Sequence, residues 1–73
     1  MFEHRSTDEL ARIALSGGGF TLDAQGRSTD ELARIALSAA GKGARIVFRG
    51  LENAPIEDLA RLALSGKGCV SFE

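Results

Sequence analysis

The sequence is poor in residues that could cross-link or catalyse. It holds one cysteine, Cys69, and one histidine, His4. A disulfide within the chain needs two cysteines, and a structural zinc site takes about four cysteine or histidine ligands, so both are excluded within one copy. No serine or cysteine near His4 in the sequence forms a nucleophile motif with it. We therefore expect no catalytic residue, no metal site, no cofactor and no enzymatic activity.

A charge excess of one sign and long apolar runs are missing as well. Nine basic residues stand against ten acidic ones, so the net charge is -1 and the chain has no long-range attraction for phosphate backbones or anionic lipids. No apolar run approaches the roughly 20 residues of a membrane span, and residues 1–4 lack the basic and then apolar layout of a secretory signal. We expect a cytoplasmic protein that binds neither nucleic acid nor membranes.

The chain is also short. With 73 residues it has room for a single α/β repeat domain, residues 1–73, and a domain of this size buries only about 60% of the surface that its unfolded chain exposes. Oligomerisation is the remaining source of added stability once disulfides and zinc are excluded. The sequence therefore predicts a homo-oligomer, with another protein as the alternative partner.

The most informative feature that is present is an internal repeat. RSTDELARIALS, residues 5–16, recurs without a change at residues 27–38, and PIEDLARLALS, residues 55–65, is a diverged third copy. Twelve consecutive identities indicate either a recent duplication or a consensus design. The copies define units of approximately 1–18, 19–43 and 44–68, with a closing strand at 69–73.

Each copy of the repeated segment predicts a helix. In the first copy an apolar arc of roughly 200° leaves flanks at Ala11 and Leu15 that can pack against neighbouring helices. The first two helices begin with Ser-Thr-Asp-Glu, at residues 6–9 and 28–31, which matches the capping box. A glycine follows each helix, including Gly66 after the third, as a left-handed C-terminal cap requires.

Short alternating segments follow the helices. Residues 20–23, 45–49 and 69–73 alternate between apolar and polar side chains, and Met1-Phe2-Glu3 is a stub of a further strand at the N-terminus. Aligned on their last apolar residue, the four strands turn one apolar set toward the helices. That set consists of Phe2, Leu22, Phe48 and Phe72, with Phe20, Ile46 and Val70 two residues earlier.

The order of these elements predicts an α/β fold, a two-layer βαβαβαβ repeat. Strand-helix-strand connections of this length give parallel neighbours through right-handed crossovers. We therefore expect a parallel four-stranded sheet in the order 1-2-3-4, with three helices on one face. The opposite face is then open, which is unusual for a parallel sheet and indicates a fragment of a solenoid or a surface that a partner covers.

Residues 47–73, VFRGLENAPIEDLARLALSGKGCVSFE, resemble a leucine-rich repeat of the ribonuclease-inhibitor kind. The last two helical segments are 27 residues apart, from residue 32 to residue 59, which is close to the period of such repeats. Leu59, Leu62 and Leu64 resemble their helical leucines, and Asn53 lies in the loop after the strand, although no asparagine recurs in the earlier copies. The resemblance implies a protein-binding concave sheet and no catalysis.

The candidate functional residues lie in one row on the open face. Glu3, Asp23, Arg49 and Glu73 fall at the same position of the aligned strands. Such a row predicts a charged contact surface or a small-ligand site, because ligands of open parallel sheets bind near the carboxyl ends of the strands. It also fits a plain cross-strand charge ladder, which contributes roughly 0.2–1 kcal/mol per pair.

The function stays unknown from the sequence, with three possibilities open. The leading one is a non-enzymatic structural or protein-protein interaction module that self-associates through the open sheet face or an exposed sheet edge. The second is a small-ligand binder or enzyme fragment that uses the charged strand ends at Asp23, Arg49 and Glu73. The third is a designed or recently duplicated repeat without an evolved ligand, with which the identical copies are compatible.

Overall fold

The computed structural model describes residues 2–73, except for the side chain of Glu3. A short 3-10 helix comes first, at Phe2–His4, and helices then alternate with strands. Their bounds are Thr7–Leu15 for α1, Phe20–Asp23 for β1, Thr29–Ala39 for α2, Ile46–Arg49 for β2, Ile56–Gly66 for α3 and Val70–Phe72 for β3. The fold is therefore of the α/β class, with one helix for each copy of the repeated segment.

Within the described residues the sheet has three parallel strands, in the order β1-β2-β3. The predicted four-stranded βαβαβαβ arrangement is therefore wrong. Residues 2 and 3 of the predicted N-terminal stub belong to the 3-10 helix, and Met1 lies outside the described residues. The physical reason is that the segment before α1 is too short for a strand and its connection. Only residues 4–6 would connect a first strand to α1, whereas residues 24–28 and 50–55 connect β1 and β2 to their helices.

Phe2 packs against the apolar core from the 3-10 helix and is not part of a strand. The Arg5 N–H donates a hydrogen bond of 3.0 Å to the Phe2 carbonyl, which closes the turn. The Phe2 ring then lies against the Phe20 ring, with 5.3 Å between the ring centroids. The N-terminal segment thus covers the apolar side of β1 by ring packing.

The register of β1, β2 and β3 agrees with the predicted alignment of these strands. Cross-strand neighbours are Phe20, Ile46 and Val70 in one row and Leu22, Phe48 and Phe72 in the next apolar row. On the face toward the helices, Leu22 and Phe48 are both fully buried. On the opposite face, Thr21 and Asp23 are exposed. The sheet therefore has one buried and one solvated face, as its period-two sequences predict.

The helices form a row in which α2 packs against both α1 and α3. Small residues lie at these contacts, since Ala11 and Ala14 of α1 and Ala33 and Ala36 of α2 are all buried. Leu15, which was predicted to pack against a neighbouring helix, is 55% exposed. The alanines let the helices approach closely, so the contact forms at their positions and leaves Leu15 in solvent.

The two predicted capping boxes are present. Ser6 Oγ accepts a hydrogen bond from the Glu9 N–H at 3.2 Å, and Glu9 Oε1 accepts one from the Ser6 N–H at 3.0 Å. Ser28 and Glu31 form the same pair of bonds, at 3.2 and 2.8 Å. In contrast, α3 begins after Pro55, which provides no side-chain cap. The third helix therefore starts with a different chemistry from the other two.

The end of α3 differs from the predicted glycine cap. Gly66 lies inside the helix, and the left-handed residue is Lys67, with φ 50°. A Cβ atom at Gly66 would overlap the Val70 side chain. The glycine is therefore needed so that α3 can lie close to β3, and it is not needed for an unusual backbone conformation.

Candidate functional site

Three of the four predicted site residues lie in one row on the open sheet face. Asp23 is paired with Arg49 in the register of β1 and β2, and Arg49 Nε lies 3.1 Å from Glu73 Oε1. Glu3 is the exception, because it belongs to the N-terminal 3-10 helix and not to a strand. Its side chain lies outside the described residues, so the described row extends across three neighbouring chain segments.

The row of Asp23, Arg49 and Glu73 is exposed to solvent and contains an ion pair between Arg49 and Glu73. The Arg49 and Glu73 side chains are 62% and 61% exposed, and ion pairs with this exposure contribute about 0.2–1 kcal/mol. Asp23 Oδ1 accepts a hydrogen bond of 3.0 Å from the Gln25 N–H, which belongs to the turn after β1. These charged groups therefore already bind groups of the chain itself.

A second set of charged contacts recurs between the repeats, at the N-terminal ends of the helices. Asp8 of α1 forms an ion pair with Arg34 of α2. Asp30 of α2 forms one with Arg61 of α3, with 2.7 Å between Oδ1 and NH1. Asp8 and Asp30 occupy the same position of the repeat, as do Arg34 and Arg61. Helix α2 thus offers an arginine to α1, which precedes it, and a carboxylate to α3, which follows it.

Hydrogen bonds between the repeats also recur at equivalent positions, with a threonine of one helix and a carboxylate of the next. Thr7 Oγ1 donates to Glu31 Oε2 at 3.3 Å, and Thr29 Oγ1 donates to Asp58 Oδ2 at 3.3 Å. Arg27 NH1 adds a bond of 3.0 Å to Thr7 Oγ1. Two successive contacts are therefore built from equivalent groups, and each contact has a direction along the row of helices.

The sequence prediction missed these contacts, because it considered the helix starts for capping and assigned no partner to Asp8 or Asp30. The signal that could have found them is the unchanged segment TDELAR at residues 7–12 and 29–34. Its aspartate and arginine are four residues apart, on one exposed side of a helix. When identical helices pack in a row, such a segment brings the aspartate of one helix toward the arginine of the next.

The apolar part of the contact between repeats is complete inside the chain and open at α3. Ala14 and Ala36, on helices that another helix follows, are fully buried, whereas Ala63 at the same repeat position is exposed. On the sheet, Phe48 is fully buried and Phe72 is 40% exposed. We define the C-terminal end surface as Ile56, Glu57, Ala60, Ala63 and Phe72. Ile56 and Glu57 occupy the repeat positions at which α1 and α2 contact the helix that follows them.

The opposite end of the row is partly closed. The Phe2 ring covers Phe20 there. On α1, however, Ile13 is only partly buried, whereas Ile35 and Leu62 at the same repeat position are 0% and 1% exposed. We define the N-terminal end surface as Glu9, Arg12 and Ile13. Glu9 and Arg12 occupy the repeat positions at which α2 and α3 contact the helix that precedes them.

Comparisons of the chain with protein-family models, with curated proteins and with solved structures gave no match. The resemblance to leucine-rich repeats therefore stays a prediction. Among residues 2–73, no helix combines the length and the apolar character that a membrane crossing requires. Among the side chains that the structure describes, no three of His, Cys, Asp or Glu are placed to hold a metal ion together. The candidate functional surfaces among the described residues are the charged row and the two ends of the array.

Proposed function

We propose that this chain is a non-enzymatic structural or protein-interaction module that self-associates, and that its C-terminal end surface takes part in the contact. The observation that carries the proposal is the exposure of Ala63, at a repeat position that is fully buried in α1 and α2. Terminal units of repeat arrays usually carry a polar outer face, which keeps the array soluble as a monomer. The outer side of α3 and β3 instead presents Ile56 and Phe72, which are 73% and 40% exposed.

Burial of the C-terminal end surface supplies what a core of this size lacks. Removing a side chain as large as isoleucine or phenylalanine from water contributes about 1.5–3 kcal/mol. In a single copy, Ile56 and Phe72 have not gained much of this stabilisation, because both side chains are exposed. Small domains without disulfides or metals commonly gain stability from such contacts.

The open sheet face supports self-association less well than the end of the array does. Its exposed strand residues are polar or charged, as at Thr21, Asp23 and Arg49. Arg49 is also engaged by Glu73. A partner on this face would displace water from charged groups and would gain little apolar burial.

A lysine on the C-terminal end surface tests the proposal. Ala63→Lys places a long charged side chain inside the proposed contact, and it leaves the fold intact because Ala63 is exposed. Leu37→Lys is the matched control, since it makes the same charge change at a helical position that is 62% exposed and lies on the middle helix. Circular dichroism verifies that both variants fold.

We expect light scattering to find oligomers for the unmodified chain and for Leu37→Lys, and a shift toward monomer for Ala63→Lys. If the unmodified chain and both variants form oligomers of equal mass, the contact lies elsewhere on the molecule. A monomeric unmodified chain at every concentration would overturn self-association itself.

A further inference from the structure

Two ionic positions recur in every repeat. The acidic position holds Asp8, Asp30 and Glu57, and the basic position holds Arg12, Arg34 and Arg61. Between neighbouring helices, the acidic residue of one pairs with the arginine of the next, and this occurs twice in the chain. Among the described residues no repeat helix precedes α1 or follows α3, so neither Arg12 nor Glu57 forms this ion pair there.

We infer that the second copy binds head to tail, with Glu57 of one copy against Arg12 of the next. This inference rests on the proposed self-association and adds its partner and its direction. Glu57 and Ala63 would take the roles that Asp30 and Ala36 have inside the chain. The partner is a second copy of this chain because the complementary half of the contact is present in the same sequence, at α1.

The contact between copies is centred on the helix layer, and Phe72 of β3 lies at its margin. At the N-terminal end, the 3-10 helix packs against β1 and Phe2 covers Phe20, so the sheet end is already occupied. On α1 the apolar side remains partly open at Ile13. Helix α3 of one copy therefore meets α1 of the next, as α1 meets α2 and α2 meets α3 within a chain.

A head-to-tail contact does not close with two copies. The two partners use different surfaces, so each copy keeps one free end, and assembly continues into open chains or rings. A two-fold dimer uses the same surface twice and stops at two copies. The average mass at rising concentration therefore distinguishes the two arrangements.

Charge reversal at the two ends tests the direction. Arg12→Glu and Glu57→Arg each place like charges in contact between copies, and we expect each single variant to associate about tenfold more weakly. An equimolar mixture restores association, because the native Glu57 of the first variant meets the native Arg12 of the second and the two reversed residues also meet. Arg12 and Glu57 are exposed, so both variants fold, as circular dichroism verifies.

Lys42→Glu is the control for charge alone, because Lys42 is exposed in the loop after α2, between the two ends. We expect light scattering to give a mass beyond the dimer for the unmodified chain and this control, a lower mass for both end variants, and recovery in the mixture.

A dimer that Arg12→Glu leaves unchanged would overturn the head-to-tail direction while self-association stands. A mixture as weak as the single variants would overturn the pair of Glu57 and Arg12. A monomer under all conditions would overturn both the inference and the proposed function.

Discussion

Asp30 Oδ1 lies 2.7 Å from Arg61 NH1 across the contact between α2 and α3, and Asp8 forms the same pair with Arg34 one repeat earlier. Equal segments fold into equal helices, so the same side chains meet at each step along the row. The Arg61 and Asp30 side chains are 51% and 84% exposed, so water screens their attraction. Such pairs give a contact its direction and register more than its free energy.

A double-mutant cycle measures this pair. Asp30→Ala, Arg61→Ala and the double variant should give a coupling of about 0.2–1 kcal/mol in the free energy of unfolding, as exposed ion pairs do. Urea unfolding at low protein concentration provides the three values without a contribution from association. A coupling of several kcal/mol, as truncation of a buried pair produces, would contradict the role given to Asp30 and Arg61.

Two leucines of α3 provide a test of how this helix packs. Leu62 is 1% exposed and Leu64 is 78% exposed. We expect Leu62→Ala to lower the free energy of unfolding by about 2–5 kcal/mol, because it leaves a cavity in the core, and Leu64→Ala to change it by less than about 0.5 kcal/mol. Thermal or urea unfolding compares the two. Equal losses would mean that α3 turns a different side toward the sheet.

The capping boxes predict a pH dependence of stability. Hydrogen bonds from the backbone N–H groups of Ser6 and Ser28 lower the pKa values of Glu9 and Glu31 below the ordinary 4.5. A carboxyl group whose pKa is lower in the folded state stabilises the fold at pH values above its unfolded pKa. That contribution is lost as the pH falls through the folded pKa. We therefore expect the contribution of Glu9 and Glu31 to be complete above pH 4.5 and to decline below it.

The control for this pH dependence is a Glu9→Gln, Glu31→Gln double variant. Glutamine can still serve in a capping box but does not titrate in this range. Urea unfolding at steps from neutral pH to below the carboxyl pKa should show a shallower decline of stability for the double variant than for the unmodified chain. The same slope in both chains would mean that other carboxyl groups account for the pH dependence.

Arg49→Ala separates the charged row from the ends of the array. Its pair with Glu73 is solvated, so we expect the free energy of unfolding to change by less than about 1 kcal/mol. The mass of the oligomer should stay the same, because the contact is assigned to the ends and not to the open sheet face. A loss of association in this variant would move the contact to the row of Asp23, Arg49 and Glu73.

Much of the fold could be predicted because it depends on local chemistry. The capping boxes at Ser6 and Ser28 satisfy the backbone within one helical turn, so the sequence alone predicts them. The register of the three strands follows from the alternation that ends at Leu22, Phe48 and Phe72, because a slip of one residue would turn the apolar side chains into solvent.

The wrong predictions concern segments whose structure depends on tertiary packing and not on the local sequence. Alternation over Met1-Phe2-Glu3 is too short to distinguish a strand from a turn, and the short link to α1 leaves no room for the strand. Leu15 fits the apolar arc of its helix, but the close approach of the helices at Ala11 and Ala14 leaves it outside the contact.

The candidate site could likewise be predicted only in part. The alignment of strands brings Asp23, Arg49 and Glu73 into one row, whereas Glu3 depends on a strand that the structure lacks. The contacts of Asp8 with Arg34 and of Asp30 with Arg61 could not be predicted from one helix alone, because they depend on how two helices are placed side by side. The exposure of Ala63 could not be predicted either, because the equivalent Ala14 and Ala36 have closely similar sequence surroundings and are buried.

Sedimentation velocity of the unmodified chain over a wide concentration range tests most directly whether copies join through the ends of the array. We expect species that grow past the dimer as the concentration rises, because a head-to-tail contact leaves a free end on every assembly. A single monomeric species at all concentrations would contradict self-association through the surfaces at Arg12 and Ala63.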